Sequence, residues 1–181
     1  MAESGGSDQA LLRLARQLAA AGWHFHAALP ASSPMAGEFA SAGVSLHVIP
    51  MRRISTSHGA LSWLAYLAGW PWAVLRLTRL ARRVGADVVH SNSLHCWYGW
   101  AAAMLARRPH VWHAREVVTQ SRAALRVERY LARHFASRVV AVSTAVASQL
   151  WPGNVVVVTE EADPTLYFPG RAGRARSSLG I

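Results

Sequence analysis

The stretch ADVVHSNSLHCWYGWAAAMLARRPHVWHAREV, residues 86–117, decides the fold. Val88-Val89-His90 is a short apolar run of strand type, Trp100 to Arg107 belongs to a helix, and Val111-Trp112-His113 is a second strand-like run. Strand, helix and strand in that succession are the signature of a parallel α/β sheet. The pattern continues downstream. An arginine-rich helix is predicted from about Ser121 to Phe135, a strand from Val139 to Val142, a helix opened by Ser143 as N-cap, and a valine strand from Val155 to Thr159. Upstream, Leu11, Leu12, Leu14, Ala15, Leu18 and Ala19 recur at helical spacing and Gly22 follows as a stop, which predicts a helix over about 8–21. Next come a strand from Trp23 to Leu29, a short helix near Pro34 to Ala42, and an alternating strand from Val44 to Ile49 closed by Pro50. A long apolar helix follows from about Gly59 to Val84, with a bend expected at Pro71, which removes one backbone donor.

These elements predict a doubly wound, mostly parallel sheet. A fold of this kind normally opens on a strand, yet the Gly5-Gly6 turn and the first helix arrive with only Met1 to Ser4 ahead, so the first strand is expected to be missing. Residues 1–169 read as one domain and residues 170–181, small and basic, as a linker.

Composition agrees. The chain has 181 residues, 52% of them apolar and 15% charged, enough for one full core. Its 19 basic residues are all arginine, and against 9 acids they give a net charge of +10, which favours anionic partners. A single cysteine, Cys96, forbids an internal disulfide, so a reducing, cytoplasmic setting is expected. The first ten residues lack an apolar core and an arginine, unlike a secretory signal. The longest uncharged stretch, Ile54 to Leu75, becomes apolar only near Leu61 and contains Pro71, so it falls short of the ~20 apolar residues of a transmembrane helix.

Open parallel sheets bind ligands beyond the carboxyl ends of their strands. That rule selects Gly5, Gly6 and Ser7 before the first helix, then His90, Ser91, Asn92 and His95, then His113, Arg115 and Glu116. Ser143, Thr144, Glu160, Glu161 and Asp163 complete the set. Gly5-Gly6 would let backbone N–H groups approach a phosphate, or would simply form a tight turn; no G-x-G-x-x-G or Walker lysine accompanies it. His113-Ala114-Arg115-Glu116 is the densest cluster: Arg115 offers a fork for phosphate or carboxylate, and His113 can bond a hydroxyl or move a proton. An Arg115–Glu116 brace with His113 capping the sheet fits the same residue types equally well. The histidine pairs fall on separate elements without H-E-x-x-H or Cys-x-x-Cys, so no metal site is expected. Cys96 reads as a small buried thiol. Arg122, Arg126, Arg129 and Arg133 stack on one helix face, which reads as solvated before it reads as a docking surface. Trp63, Trp70 and Trp72 ahead of Arg76, Arg79, Arg82 and Arg83 have the make-up of a peripheral contact with an anionic membrane, although packing over the sheet is the simpler reading.

Several motifs together resemble glycosyltransferase family four of the GT-B group. Gly5-Gly6-Ser7-Asp8 running into Leu11-Leu12-Arg13-Leu14-Ala15 resembles its glycine loop and first helix, and Asp87 to Ser93 its fourth-strand motif. Val111 to Glu116 resembles its fifth-strand exit, and Val140-Ala141-Val142-Ser143 its sixth strand. The resemblance implies a Rossmann-like domain that binds the acceptor, with a second, donor-binding domain of which Arg176 to Ile181 resembles the start. It implies a metal-independent, retaining transfer of a hexose from a nucleotide sugar to a hydroxyl acceptor, glycan or lipid-linked, with no cofactor. His113 maps onto the catalytic histidine; Gly5, Gly6, Ser7, His90, Asn92, Arg115, Glu116 and Ser143 are the expected substrate-binding residues. Where relatives carry Asn-Gly-Val-Asp after the seventh strand, this chain has Glu160-Glu161-Ala162-Asp163. The chain alone is expected to be inactive. The alternative is a non-catalytic basic α/β module docking nucleic acid, anionic lipid or a protein, nucleic acid being the less expected.

Overall fold

The structure, a computed structural model, describes residues 6–30, 35–52, 60–119, 121–151 and 153–159. Helix α1 (Gly6–Ala20) buries Leu12 and Ala15 and leaves Arg16 and Gln17 outside, as the apolar spacing requires. It ends at Gly22, whose φ of 85° lets Trp23 N–H reach back to Leu18 O at 2.9 Å. Strand β1 (His26–Leu29), helix α2 (Ala36–Ser41) and strand β2 (Ser45–Val48) follow, with β1 and β2 parallel and His26 level with Ser45. Leu12, Ala15, Ala27, Met35, Phe39 and Val44 form the core of this part.

Helix α3 (Ala60–Arg83) runs through Pro71 as one element. Pro71 and Leu67, whose carbonyl loses its donor, both lie on exposed positions, so water can satisfy what the missing N–H does not. On the buried side, Tyr66, Ala73, Val74 and Leu80 pack with Tyr98 and Ala101 of helix α4 (Tyr98–Ala106) and with Ile49 at the end of β2. Thr78 is buried there and donates its hydroxyl to Val74 O at 2.8 Å. Trp63 and Trp70 are half-buried partners of this cluster, the latter with its ring 6.1 Å from that of Trp100. Of the three tryptophans expected at a membrane contact, only Trp72 is exposed.

Strands β3 (Val89–Ser91), β4 (His110–Ala114), β5 (Arg138–Ala141) and β6 (Val155–Val157) form a parallel four-stranded sheet in chain order. Helices α4, α5 (Arg122–Phe135) and α6 (Thr144–Ser148) are the successive crossovers. Ser121 and Ser143 cap α5 and α6, accepting from Ala124 N and Val146 N at 3.2 Å each. The sheet thus comes in two pieces, β1–β2 and β3–β6, and among the described residues no strand pairs with both. The expected absence of a first strand concerns the residues before Gly6, which lie outside those described, as does the tail 170–181.

Helix α4 ends without a glycine. Arg107 itself takes the left-handed conformation, φ 56° and ψ 47°, so that Arg108 N–H bonds Ala103 O at 2.9 Å. The same closure at Gly43 and Gly85 carries no Cβ penalty.

Candidate functional site

Parallel pairing sets His90 level with Val111 and Ser91 level with Trp112, so the exits of β3 and β4 lie side by side. Residues alternate between the two faces of a strand. Ser91, His110, Trp112, Ala114, Val139 and Ala141 fall on the side that is fully buried. Gly99 of α4 closes against it: a Cβ at that position would fall on Ser91 Oγ. Trp112, without exposed surface, donates its indole N–H to Ser93 O at 2.7 Å and so fixes the turn after β3. His90 and His113 fall on the other side, with ring centroids 5.6 Å apart in an edge-on arrangement.

Arg115 joins the two exits. Its Nε donates to Asn92 Oδ1 at 2.8 Å, and its Nη2 lies 3.4 Å from His113 Nδ1. A guanidinium only donates, so Nδ1 accepts and the ring proton resides on Nε2. Burial, and then the charge of Arg115, lower the His113 pKa to about 4. Burial, then His113 and Arg115, bring His90 to about 4 as well. At neutral pH the cluster is therefore two neutral imidazoles beside one fixed cation. Such a set can hold hydroxyls and an anionic oxygen in fixed places, and suits hydroxyl bonding better than proton shuttling.

Glu116 faces back into the chain. Its Oε2 accepts from Leu94 N and Arg115 N, both at 3.3 Å, bracing the two exit loops. Ser143 uses its oxygen as the cap of α6. Gly6 and Ser7 open α1, on the β1–β2 part of the fold; Gly5, Glu160, Glu161 and Asp163 lie outside the described residues. The structure thus brings together His90, Asn92, His113 and Arg115, with Glu116 behind them. Among the described residues, no three His, Cys, Asp or Glu side chains converge as a metal site would need.

One participant was missed from sequence. Glu128 is 1% exposed, and its Oε1 lies 2.6 Å from Nδ1 of His95, in the turn that carries Asn92. The hydrogen bond to Glu128 is the largest cause raising the His95 pKa above its ordinary value. The signal was present: Leu125, Glu128 and Ala132 share one stripe of α5, so its one acid stands on the apolar side. On the basic face, Arg129 and Arg133 both lie over the Trp151 ring at 5.0 Å, which takes two of the four arginines expected to be solvated. Cys96, expected to be buried, is only half-buried beside the α3–α4 core, and desolvation pushes its thiol pKa up.

The glycosyl transferase 4-like domain model matches residues 5–173, and the chain belongs to that family. Among solved structures, the chain is similar to HepE of Anabaena in complex with UDP and glucose, at 24% identity and a TM-score of 0.73, over 99% of this chain and 48% of that one. It is also similar to a glycosyltransferase of Rickettsia africae, at 14% identity and a TM-score of 0.64, over 99% and 48%. MurG of Acinetobacter baumannii follows at 16% and 0.62, over 88% and 44%. No curated protein matches the chain. The chain spans about half the length of these structures, whose likeness bears on the fold: a Rossmann-like α/β domain of GT-B type.

Proposed function

We propose that this chain is the acceptor-side domain of a retaining glycosyltransferase that moves a hexose from a nucleotide sugar to a hydroxyl of a glycan or lipid-linked acceptor. Membership of the glycosyl transferase 4-like family supports the class, and the UDP and glucose held by the Anabaena neighbour support a nucleotide-sugar donor. The observation that carries the reading is the Arg115 bridge, which fixes Asn92 and His113 together at the carboxyl edge of the parallel sheet. In the transfer, the acceptor oxygen bonds the anomeric carbon as the bond to the diphosphate breaks, charge develops on the leaving phosphate, and the acceptor hydroxyl's proton passes to that departing group. His113, neutral, holds a sugar hydroxyl; Gly5, Gly6 and Ser7 offer backbone donors toward the phosphates. Glu116 and Ser143 serve this site through the loops they brace and cap. A donor-binding domain supplies the remaining cations, so residues 1–181 alone bind the acceptor and do not turn over.

The test uses the full-length protein with a panel of radiolabelled nucleotide hexoses and extracted glycan and lipid acceptors. Labelled product with release of the nucleoside diphosphate is expected, and the product anomer reads retention. A folded full-length protein that neither binds a nucleotide sugar by calorimetry nor forms product overturns the reading. Tight binding of an anionic partner in its place would establish the non-catalytic module.

A further inference from the structure

We propose that the groove between β2 and α3 seats the phosphate headgroup of an anionic phospholipid while the outer face of α3 lies on the bilayer. The proposal does not rest on the glycosyl-transfer reading. Leu61, Leu64, Ala68, Trp72, Leu75 and Arg79 are spaced three or four residues apart and share one face of α3. That face is unpacked: Leu61 is 81% exposed, Leu64 63%, Trp72 55% and Leu75 41%. Toward its C-terminal end the helix turns basic at Arg76, Arg79, Arg82 and Arg83. Apolar and basic parts thus follow one another along the helix, and Trp72 stands at the junction with the Arg76 guanidinium 5.4 Å from its ring centre. Tryptophan at such a boundary, with cations beside it, is the composition of a helix lying in a membrane interface.

Beside this face, β2 and α3 enclose a groove of ≈ 540 Å³ that Arg76, Arg79, Arg83 and His47 line without any acid. The one ion pair among the described residues, His95 with Glu128, involves none of these arginines. Three guanidinium groups and an imidazole around one recess are complementary to a phosphate. The leucines decide between macromolecules, because nucleic acid offers nothing to cover them, whereas a bilayer covers leucine and phosphate sites together. No described helix is long and apolar enough to cross a membrane, so the contact is peripheral. His47 reports occupancy of the groove. Burial, then His26, whose Nδ1 is 3.2 Å from His47 Nε2, and Arg83 hold its pKa below the ordinary value, and a bound phosphate opposes the two charges.

The test is sedimentation of the whole chain with vesicles of phosphatidylglycerol in phosphatidylcholine, against phosphatidylcholine alone, with His47 followed by NMR during titration with dihexanoyl phosphatidylglycerol. Binding to the anionic vesicles is expected, with an upward shift of the His47 titration midpoint. Each cation at such a surface is worth about fivefold, so Arg79→Gln with Arg83→Gln weakens binding roughly 25-fold and abolishes the His47 response. Leu61→Ser with Leu64→Ser weakens vesicle binding while leaving that response in place. All four side chains are exposed, and circular dichroism checks that the fold persists. Vesicle binding unchanged in both variants overturns the proposal. So does inorganic phosphate that moves His47 in a protein that ignores vesicles, or a DNA duplex whose binding needs the arginines and not the leucines.

Discussion

Arg115 Nε donates to Asn92 Oδ1 at 2.8 Å, tying the exit of β4 to the exit of β3 across 23 positions of sequence. A flexible ammonium cannot hold both Asn92 and His113, because it lacks the planar fork. Arg115→Lys in the full-length enzyme is therefore expected to lower kcat by about 10- to 100-fold with the charge retained, consistent with loss of one preorganised contact. Steady-state kinetics beside a thermal melt reads it; an unchanged kcat removes Arg115 from the site.

His113→Ala is expected to cost roughly 10² to 10³ in turnover, while the melting temperature of the variant changes by only a few degrees. Val111 and Trp112 supply the packing on this strand, with Trp112 wholly buried. Normal turnover per folded molecule with a much lower melting temperature would make the histidine structural.

Acid should unfold the domain early. His90, His110 and His113 have folded pKa values lowered to about 4, chiefly by burial, against an ordinary 6.5. The unfolded chain then binds more protons, so stability is fully present above pH 6.5 and falls as pH drops toward 4, by roughly 2 kcal/mol per histidine at pH 5 before coupling between them. His95, with its pKa raised by Glu128, runs the other way: its contribution is present below pH 6.5 and fades as pH rises through the folded value. Urea midpoints between pH 5 and 8 measure the balance, and a flat profile contradicts it.

Glu128→Ala leaves His95 without its carboxylate and opens a buried hole. A loss of about 2 to 3 kcal/mol is expected, below the full figure for a buried pair because the His95 side chain is 38% exposed. In the same variant the His95 titration midpoint, followed by NMR, should move down; no movement would break the link between α5 and the Asn92 turn.

Arg107→Gly is expected to stabilise by about 1 kcal/mol, since a left-handed arginine carries a Cβ cost that glycine does not. Its φ of 56° is the only positive value at a non-glycine residue among those described. A lower urea midpoint for the variant would refute the strain.

The alternation of strands and helices was legible because most strands here are apolar or alternating runs and most helices carry a repeating stripe; the twelve described elements fall within a few residues of their predicted places. The sequence carries the end of α4 one residue too far because Arg107 gives no stop signal. The tryptophans of α3 were harder. Trp63, Trp70 and Trp72 look alike in sequence, and only the packing of α4 and the β2 end against α3 separates the two half-buried rings from the exposed one. Sheet topology placed His90, Asn92, His113 and Arg115 on a shared edge, since parallel strands in chain order put their exits together. The Leu94 partner of Glu116 and the His95 partner of Glu128 lie 22 and 33 positions away, beyond what local pattern reveals.

Strands β3 to β6 stand in the sheet in the order in which they stand in the chain. A chain leaving the ribosome therefore meets, at each new strand, a partner already synthesised and never waits for one still to come. Every pairing closes a loop of one crossover helix, which keeps the entropy of closure small. This half of the molecule can grow by accretion during translation, and a nascent chain stalled just beyond Ala114 already holds β3 and β4, the two strands whose ends Arg115 will join.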